Sequence, residues 1–300
     1  MAAMGHSKAL VAVLTAGTLW SFGALTIRYM VDPQNYRWQY LFFRGLTVAA
    51  ILCIYLMVRD RHGFVKNFQK IGVSGTVGAL GLVGAFIFFI WSITLTTAAN
   101  TLFLFSTIPF IAAFMGIVIL KETLRPITWV SMGIAFIGIT VMVIEGLEAG
   151  SLLGIVTGFA SACGFATFSI SLRMRKETPQ FATVALAGIL CAVITGVIMQ
   201  VQNDAMMMPL RNILLSMIHG SLVGGGLILF SLGAGYFPAA ELNLLSLFEV
   251  VGGVIWVYLP IFGIHEVPSL LTVIGGCIVS GAIVLNSLGA RHEPVPAKPV

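Results

Sequence analysis

The chain has 300 residues, of which 58% are hydrophobic and 9% charged, with a mean hydropathy of +1.02 and a formal charge of +5. Soluble domains carry about a quarter charged residues; so few polar groups cannot coat that much apolar surface, which excludes a water-soluble fold. A nucleic-acid partner is excluded too, because its site needs a clustered basic face and the basic residues here are scattered.

Apolar stretches follow one another at about 8–30, 36–58, 71–91, 98–120, 127–144, 151–172, 180–201, 212–234, 238–259 and 269–287, each near the length that spans a bilayer as a helix. The first runs from Lys8 through Trp20 to about Met30, too long for the apolar core of a signal peptide, and reads as a retained helix. Breaks fall at Asp32 to Asn35, Arg59 to Lys70, Arg125-Pro126, Glu145 to Gly150, Arg173 to Pro179, Gln202 to Arg211, Phe237-Pro238 and Pro268. Past Ala290 the chain is polar and holds three prolines, which predicts a disordered tail over 290–300. Cys53, Cys163, Cys191 and Cys277 all lie in apolar stretches and read as small hydrophobes rather than disulfides or zinc ligands.

The distribution of Lys and Arg gives the topology. With the N-terminus inside, Lys8, Arg59, Arg61, Lys66, Lys70, Lys121, Arg125, Arg173, Arg175, Lys176, Arg291 and Lys298 fall on the cytoplasmic side, twelve in all, against Arg28, Arg37 and Arg211 outside. The fold class expected is an all-α integral membrane protein of ten transmembrane helices, with both termini in the cytoplasm.

The sequence also repeats itself. Lys121-Glu122-Thr123-Leu124-Arg125-Pro126 after the fourth helix is echoed by His265-Glu266-Val267-Pro268 after the ninth, and Ala98-Ala99-Asn100 by Ala239-Ala240-Glu241, 141 positions on. Five spans is an odd number, so two such halves face opposite ways. The expected organisation is a five-helix repeat over 1–146 and an inverted one over 147–289, an architecture that recurs in secondary transporters with their sites at the midplane.

These residues resemble the EamA-type ten-helix branch of the drug/metabolite transporter superfamily. The likeness rests on Leu19-Trp20-Ser21, Phe43-Arg44-Gly45, Thr97-Ala98-Ala99-Asn100, Pro109, Leu120-Lys121-Glu122, Ser246-Leu247-Phe248-Glu249 and Gly263-Ile264-His265-Glu266, and covers nearly the whole chain. Where the family often has proline after the glutamate of the ninth helix, this chain has Val250, followed by Gly252-Gly253. The resemblance implies alternating-access transport of amino acids or other small metabolites through a central cavity.

Ionisable groups deep in a bilayer are costly and face a cavity or a partner, which singles out Arg44, His219, Glu241 and Glu249. Glu249 is expected to line the cavity, binding a cationic group or exchanging a proton; the competing arrangement is an ion pair with Arg44 that locks two helices. Arg44 itself is assigned an architectural role, since the resemblance includes this arginine. Glu241, two turns before Glu249, either joins the site or reaches water at its helix end. His219 is a satisfied interior histidine or a proton relay. Asn100 and Thr107 share a helix face, to coordinate a polar solute or bridge helices. Trp20, Trp91, Phe103 and Phe165 are candidate cavity walls, with packing as the alternative for each. Pro109 and Gly252-Gly253 are candidate soft points for gating. Glu122 and Glu266 read as helix caps, and Gly154 and Gly158 as a packing motif that serves internal contacts or a homodimer.

No phosphate loop, catalytic triad or metal-ligand cluster stands in the sequence, so the expectation is a non-enzyme without cofactor or metal. The function expected is a secondary carrier of an amino-acid-like or other zwitterionic solute in a bacterial cytoplasmic membrane, with proton coupling left open. The alternatives are a carrier of a bulkier cofactor-like solute, of the riboflavin or S-adenosylmethionine type, and a non-transporting scaffold or receptor. The partners expected are that small-molecule solute and membrane lipids.

Overall fold

Thirteen helices account for the ten apolar stretches in a computed structural model that describes residues 5–61, 63–96, 98–143, 152–174, 179–258, 263 and 270–289. In order they are α1 (His6–Arg28), α2 (Arg37–Arg59), α3 (Phe64–Gln69), α4 (Gly72–Leu95), α5 (Ala98–Phe105), α6 (Ile108–Leu120), α7 (Pro126–Val143), α8 (Leu152–Met174), α9 (Gln180–Gln202), α10 (Leu210–Gly233), α11 (Ala239–Ser246), α12 (Phe248–Tyr258) and α13 (Leu270–Gly289). The protein is an all-α integral membrane protein: α1, α2, α4, α8, α9 and α10 are each long and apolar enough to cross a bilayer, and Ile108–Leu120, Pro126–Gly138 and Val273–Asn286 are shorter apolar helices. The tail beyond Ala290, with Glu266 and its neighbours, lies outside the described residues.

The excess over ten has two causes. One is α3, six residues within the polar Arg59 to Lys70 segment. The other is that the fourth and ninth stretches are each broken, at Ser106-Thr107 and at Leu247. The first break has a local reason: Ser106 Oγ donates to Leu102 O (2.8 Å) and Thr107 Oγ to Leu104 O (2.6 Å), bonds that compete with the helical ladder. Pro109, expected to kink a continuous helix, instead sits in the first turn of α6, where its missing N–H leaves no helical bond unmade. Gly252 and Gly253 do not mark the second break. They lie inside α12, where a Cβ on Gly252 would fall 2.7 Å from Ser21 Cβ and one on Gly253 3.1 Å from Leu102 Cδ1. They are packing glycines in this structure.

Because these helices are apolar all round, polarity does not separate their lipid and core faces; side-chain size does. In α1 the buried face runs through Ala9, Ala12, Val13, Ala16, Gly17 and Trp20. Small residues bring α4 onto α8, where Gly81 and Gly164 approach each other's backbone, and α1 onto α10, where Gly23 meets His219. Gly158 also faces inward, against Leu104 and Ser92.

The contacts pair up across the two halves. The packing of α4 on α8 is matched by α1 on α10, that of α4 on α9 by α2 on α10, and that of α8 on α5 and α6 by α1 on α11 and α12. The pairs α2 with α9, α7 with α13 and α6 with α11 also join one half directly to the other. At the α2–α9 crossing the contact is reciprocal. A Cβ on Gly45 would meet Ala192 N at 3.0 Å and Gly188 O at 3.1 Å, and one on Gly188 would meet Ala49 N at 2.7 Å and Gly45 O at 3.0 Å. Backbone cannot yield as a flexible side chain does, so Gly188→Ala is expected to destabilise the protein by about 1–3 kcal/mol through overpacking. Thermal unfolding in detergent reads this as a lowered midpoint; an unchanged midpoint would mean that the two helices separate freely.

Candidate functional site

A small cavity of about 40 Å³ is walled by Trp20, Arg44, Ala85, Phe86, Phe89, Phe105, Phe165, His219, Val223, Leu227 and Glu249. Helices α1, α2, α4 and α5 of the first half and α8, α10 and α12 of the second all reach it. A water needs about 10–15 Å³ of such space, so the cavity as it stands has room for a few waters and for no amino acid. Its walls have to part for a solute.

Aromatic edges make the apolar wall. Trp20 meets Phe165 edge-on at 5.5 Å between centroids and Phe230 at 5.4 Å, and Phe105 stands 5.5 Å from both Phe89 and Phe165. Trp20 is fixed further by its Nε1–H, which donates to Val223 O across the α1–α10 contact (3.4 Å). Edge-to-face pairs of this kind contribute about 0.5–1.5 kcal/mol each beyond burial.

The polar wall is set by three buried groups. Arg44 is 4% exposed, its guanidinium stacks 4.5 Å over the Phe86 ring, and its Nε and Nη1 have no hydrogen-bond partner. Buried donors left unengaged are rare and call for a reason; a guanidinium suits an anionic or carbonyl partner. Glu249, at 8% exposure, comes from the other half, and among the described residues it forms no ion pair with Arg44. His219 presents its ring to the cavity while its Nδ1 lies 2.8 Å from the Tyr40 hydroxyl.

The structure thus gathers Trp20, Phe165, His219 and Glu249 around one space, with Arg44, which the sequence placed in the architecture. Thr107 lies at the start of α6 with its hydroxyl turned back on Leu104 O. Trp91 is elsewhere: its ring takes the Arg37 guanidinium at 4.6 Å and packs on Trp38 at 5.3 Å. The side chains of Asn100 and Phe103 are outside the described residues. Glu241 is fully buried in α11 rather than reaching water; both of its oxygens lack a hydrogen-bond partner, as do all three guanidinium nitrogens of buried Arg125.

Sequence reasoning missed Phe86, Phe89 and Phe105, and it missed a second polar cluster built on Glu122. That residue follows Lys121, whose left-handed conformation (φ 52°) turns the chain so that Glu122 N–H reaches Gly116 O (3.1 Å). Its carboxylate then caps α11 and not the helix that follows it: Oε2 accepts from Ala239 N–H at 2.9 Å. Oε1 takes both Nε and Nη2 of Arg173 at 2.6 Å, while Arg173 Nη1 donates to Ala234 O (2.6 Å) and to Phe237 O. One clamp therefore ties the ends of α6 and α8 to the α10–α11 turn. The available signal was topological, since Lys121, beside Glu122, and Arg173 fall on the same side in the Lys and Arg count.

Comparison with known proteins bears on what this arrangement is for. Residues 7–144 match the EamA-like transporter family. Among solved structures 29 chains match; one, titled only "Crystal structure of protein", superposes with a TM-score of 0.71 at 19% identity, over 96% of this chain and 99% of that one. At that identity the likeness speaks for the fold alone. No curated protein matches.

Proposed function

We propose that the chain, whose residues 7–144 match the EamA-like transporter family, is a secondary transporter of a small zwitterionic, amino-acid-like metabolite, working by alternating access. The observation that carries this reading is that one cavity is lined by two residues of opposite charge type, Arg44 and Glu249, buried and not paired with each other among the described residues. A free amino acid complements both: its carboxylate engages the Arg44 guanidinium, its ammonium engages Glu249, and an apolar side chain lies among Trp20, Phe105 and Phe165. A bulkier cofactor-like solute would need far more expansion of a 40 Å³ space, and a scaffold has no use for unpaired charges there.

Alternating access follows from the halves. Exchanging them returns the largest helix contacts, with Gly45 and Gly188 meeting reciprocally and the broken helices falling at matching places. We take α5 with α6 as one span and α11 with α12 as another, which makes ten spans in two inverted units, 1–146 and 147–289. The cavity lies between the units, so rocking one against the other opens it to one side at a time. In this reading the Glu122–Arg173 clamp closes the cytoplasmic end, which the excess of Lys and Arg on that side identifies.

Purified protein in liposomes, challenged with labelled amino acids, nucleosides and vitamins, tests the proposal. The expected result is saturable, protein-dependent uptake of an amino-acid-like solute, competed by free amino acids but not by their decarboxylated or N-acetylated forms. Flux of none of the panel, or flux indifferent to which charged end is blocked, would overturn it.

A further inference from the structure

His219 is tied at one ring nitrogen into a short chain of buried hydroxyls, and counting protons along that chain fixes what the other nitrogen offers. Thr26 Oγ lies 2.7 Å from Gly23 O and 3.2 Å from the Tyr40 hydroxyl, which lies 2.8 Å from His219 Nδ1. Thr26 and Tyr40 are buried, and His219 is 2% exposed. A carbonyl only accepts, so the Thr26 proton goes to Gly23 O. The Thr26–Tyr40 contact is then made by the Tyr40 proton, and the Tyr40–His219 contact by a proton on Nδ1. This is the one assignment that gives each of the three contacts a proton. If Tyr40 donates to Nδ1 instead, one contact between these buried oxygens has no proton in it, and their facing lone pairs repel at low local dielectric.

Resting on the transport reading above, we infer that His219 is held as its Nδ1–H tautomer and presents a bare Nε2 to the cavity as acceptor for an N–H group of the solute. Tyr40 and Thr26 act as positioning residues. A second observation agrees. Nε2 lies against Gly23, where a Cβ would come within 2.8 Å of it, so a side chain at position 23 would crowd the nitrogen that glycine leaves uncovered. The cavity then offers two acceptors, Glu249 and His219 Nε2, together with the donors of Arg44. That pattern selects a primary or secondary ammonium, with two or more N–H groups to give, over a quaternary ammonium of similar size and charge.

The test is spectroscopic and separate from transport. Protein labelled with ¹⁵N-histidine is reconstituted in lipid, and the His219 signals are identified by their loss in His219→Gln. The inference expects Nδ1 in the protonated range and Nε2 in the unprotonated range, with Nε2 shifting toward the hydrogen-bonded range when a carried solute saturates the site. Tyr40→Phe, which cannot accept from Nδ1–H, is expected to move the population toward the Nε2–H tautomer. It should also raise KM about tenfold, the worth of one hydrogen bond to a charged group, with kcat less affected. Quaternary analogues should not compete for uptake. An Nε2–H or doubly protonated ring in an active carrier overturns the inference and leaves the transport reading intact. The expected tautomer in a protein that moves none of the solutes overturns the transport reading and the solute-acceptor role, while the tautomer assignment stands.

Discussion

Glu249→Gln is expected to lower kcat/KM for solute uptake by about thirtyfold or more. Leaving one charge of a buried pair without its partner costs about 2–5 kcal/mol, and every 1.4 kcal/mol is a factor of ten. Glutamine keeps the shape and one acceptor oxygen, so the change isolates the charge from the hydrogen bond. It also removes an ionisable group that has no cationic partner within ion-pair distance among the described residues, so folding should not suffer; a thermal midpoint at or above that of the unaltered protein is the matching expectation. The loss should be selective. Solutes with a free ammonium lose most, whereas solutes held only through their carboxylate on Arg44 lose little. If Glu249 also exchanges the coupling proton, the variant flattens the dependence of uptake on pH. Unchanged KM, kcat and pH profile would take Glu249 out of the site.

The apolar stretches were legible because the bilayer imposes one rule on all of them: about 20 residues with their backbone bonds satisfied within the helix. The breaks at Ser106-Thr107 and Leu247 were not, since hydropathy runs through them undiminished. Pro109 hinted at the first, but hydroxyls bonding back onto Leu102 and Leu104 precede it and end α5. At the site, charge was the readable signal. Glu249 and His219 stood out because lipid does not tolerate them, and both line the cavity. Aromatics carried no such contrast: Trp91 and Phe89 look alike in an apolar run, yet one meets Arg37 and the other faces the cavity. Arg173 was counted only for topology, and its partner is 51 positions away.

That partner pair gives the second large effect. Glu122 and Arg173 are mostly buried, and Arg173 uses all three of its guanidinium nitrogens in the clamp. Removing one partner of a buried ion pair costs about 3–5 kcal/mol, and here that loss falls on whichever state has the clamp closed. If the clamp seals one end of an alternating-access carrier, Arg173→Ala shifts the population toward opening at that end by about a hundredfold or more. Val223→Cys, on the cavity wall, reports this in a background with Cys53, Cys163, Cys191 and Cys277 replaced. With impermeant thiol reagent in oriented vesicles, Arg173→Ala should label faster from the clamp side and slower from the other. A merely structural salt bridge would behave differently, loosening the bundle and speeding labelling from both. Glu122→Gln refines the distinction, because its amide oxygen still accepts from Ala239 N–H and keeps α11 capped while the ion pair is gone. It should reproduce most of the shift, and combining it with Arg173→Ala should add little, since the two act through one contact. Additive effects, or equal labelling from both sides in every variant, would mean that the clamp holds the bundle together without gating it.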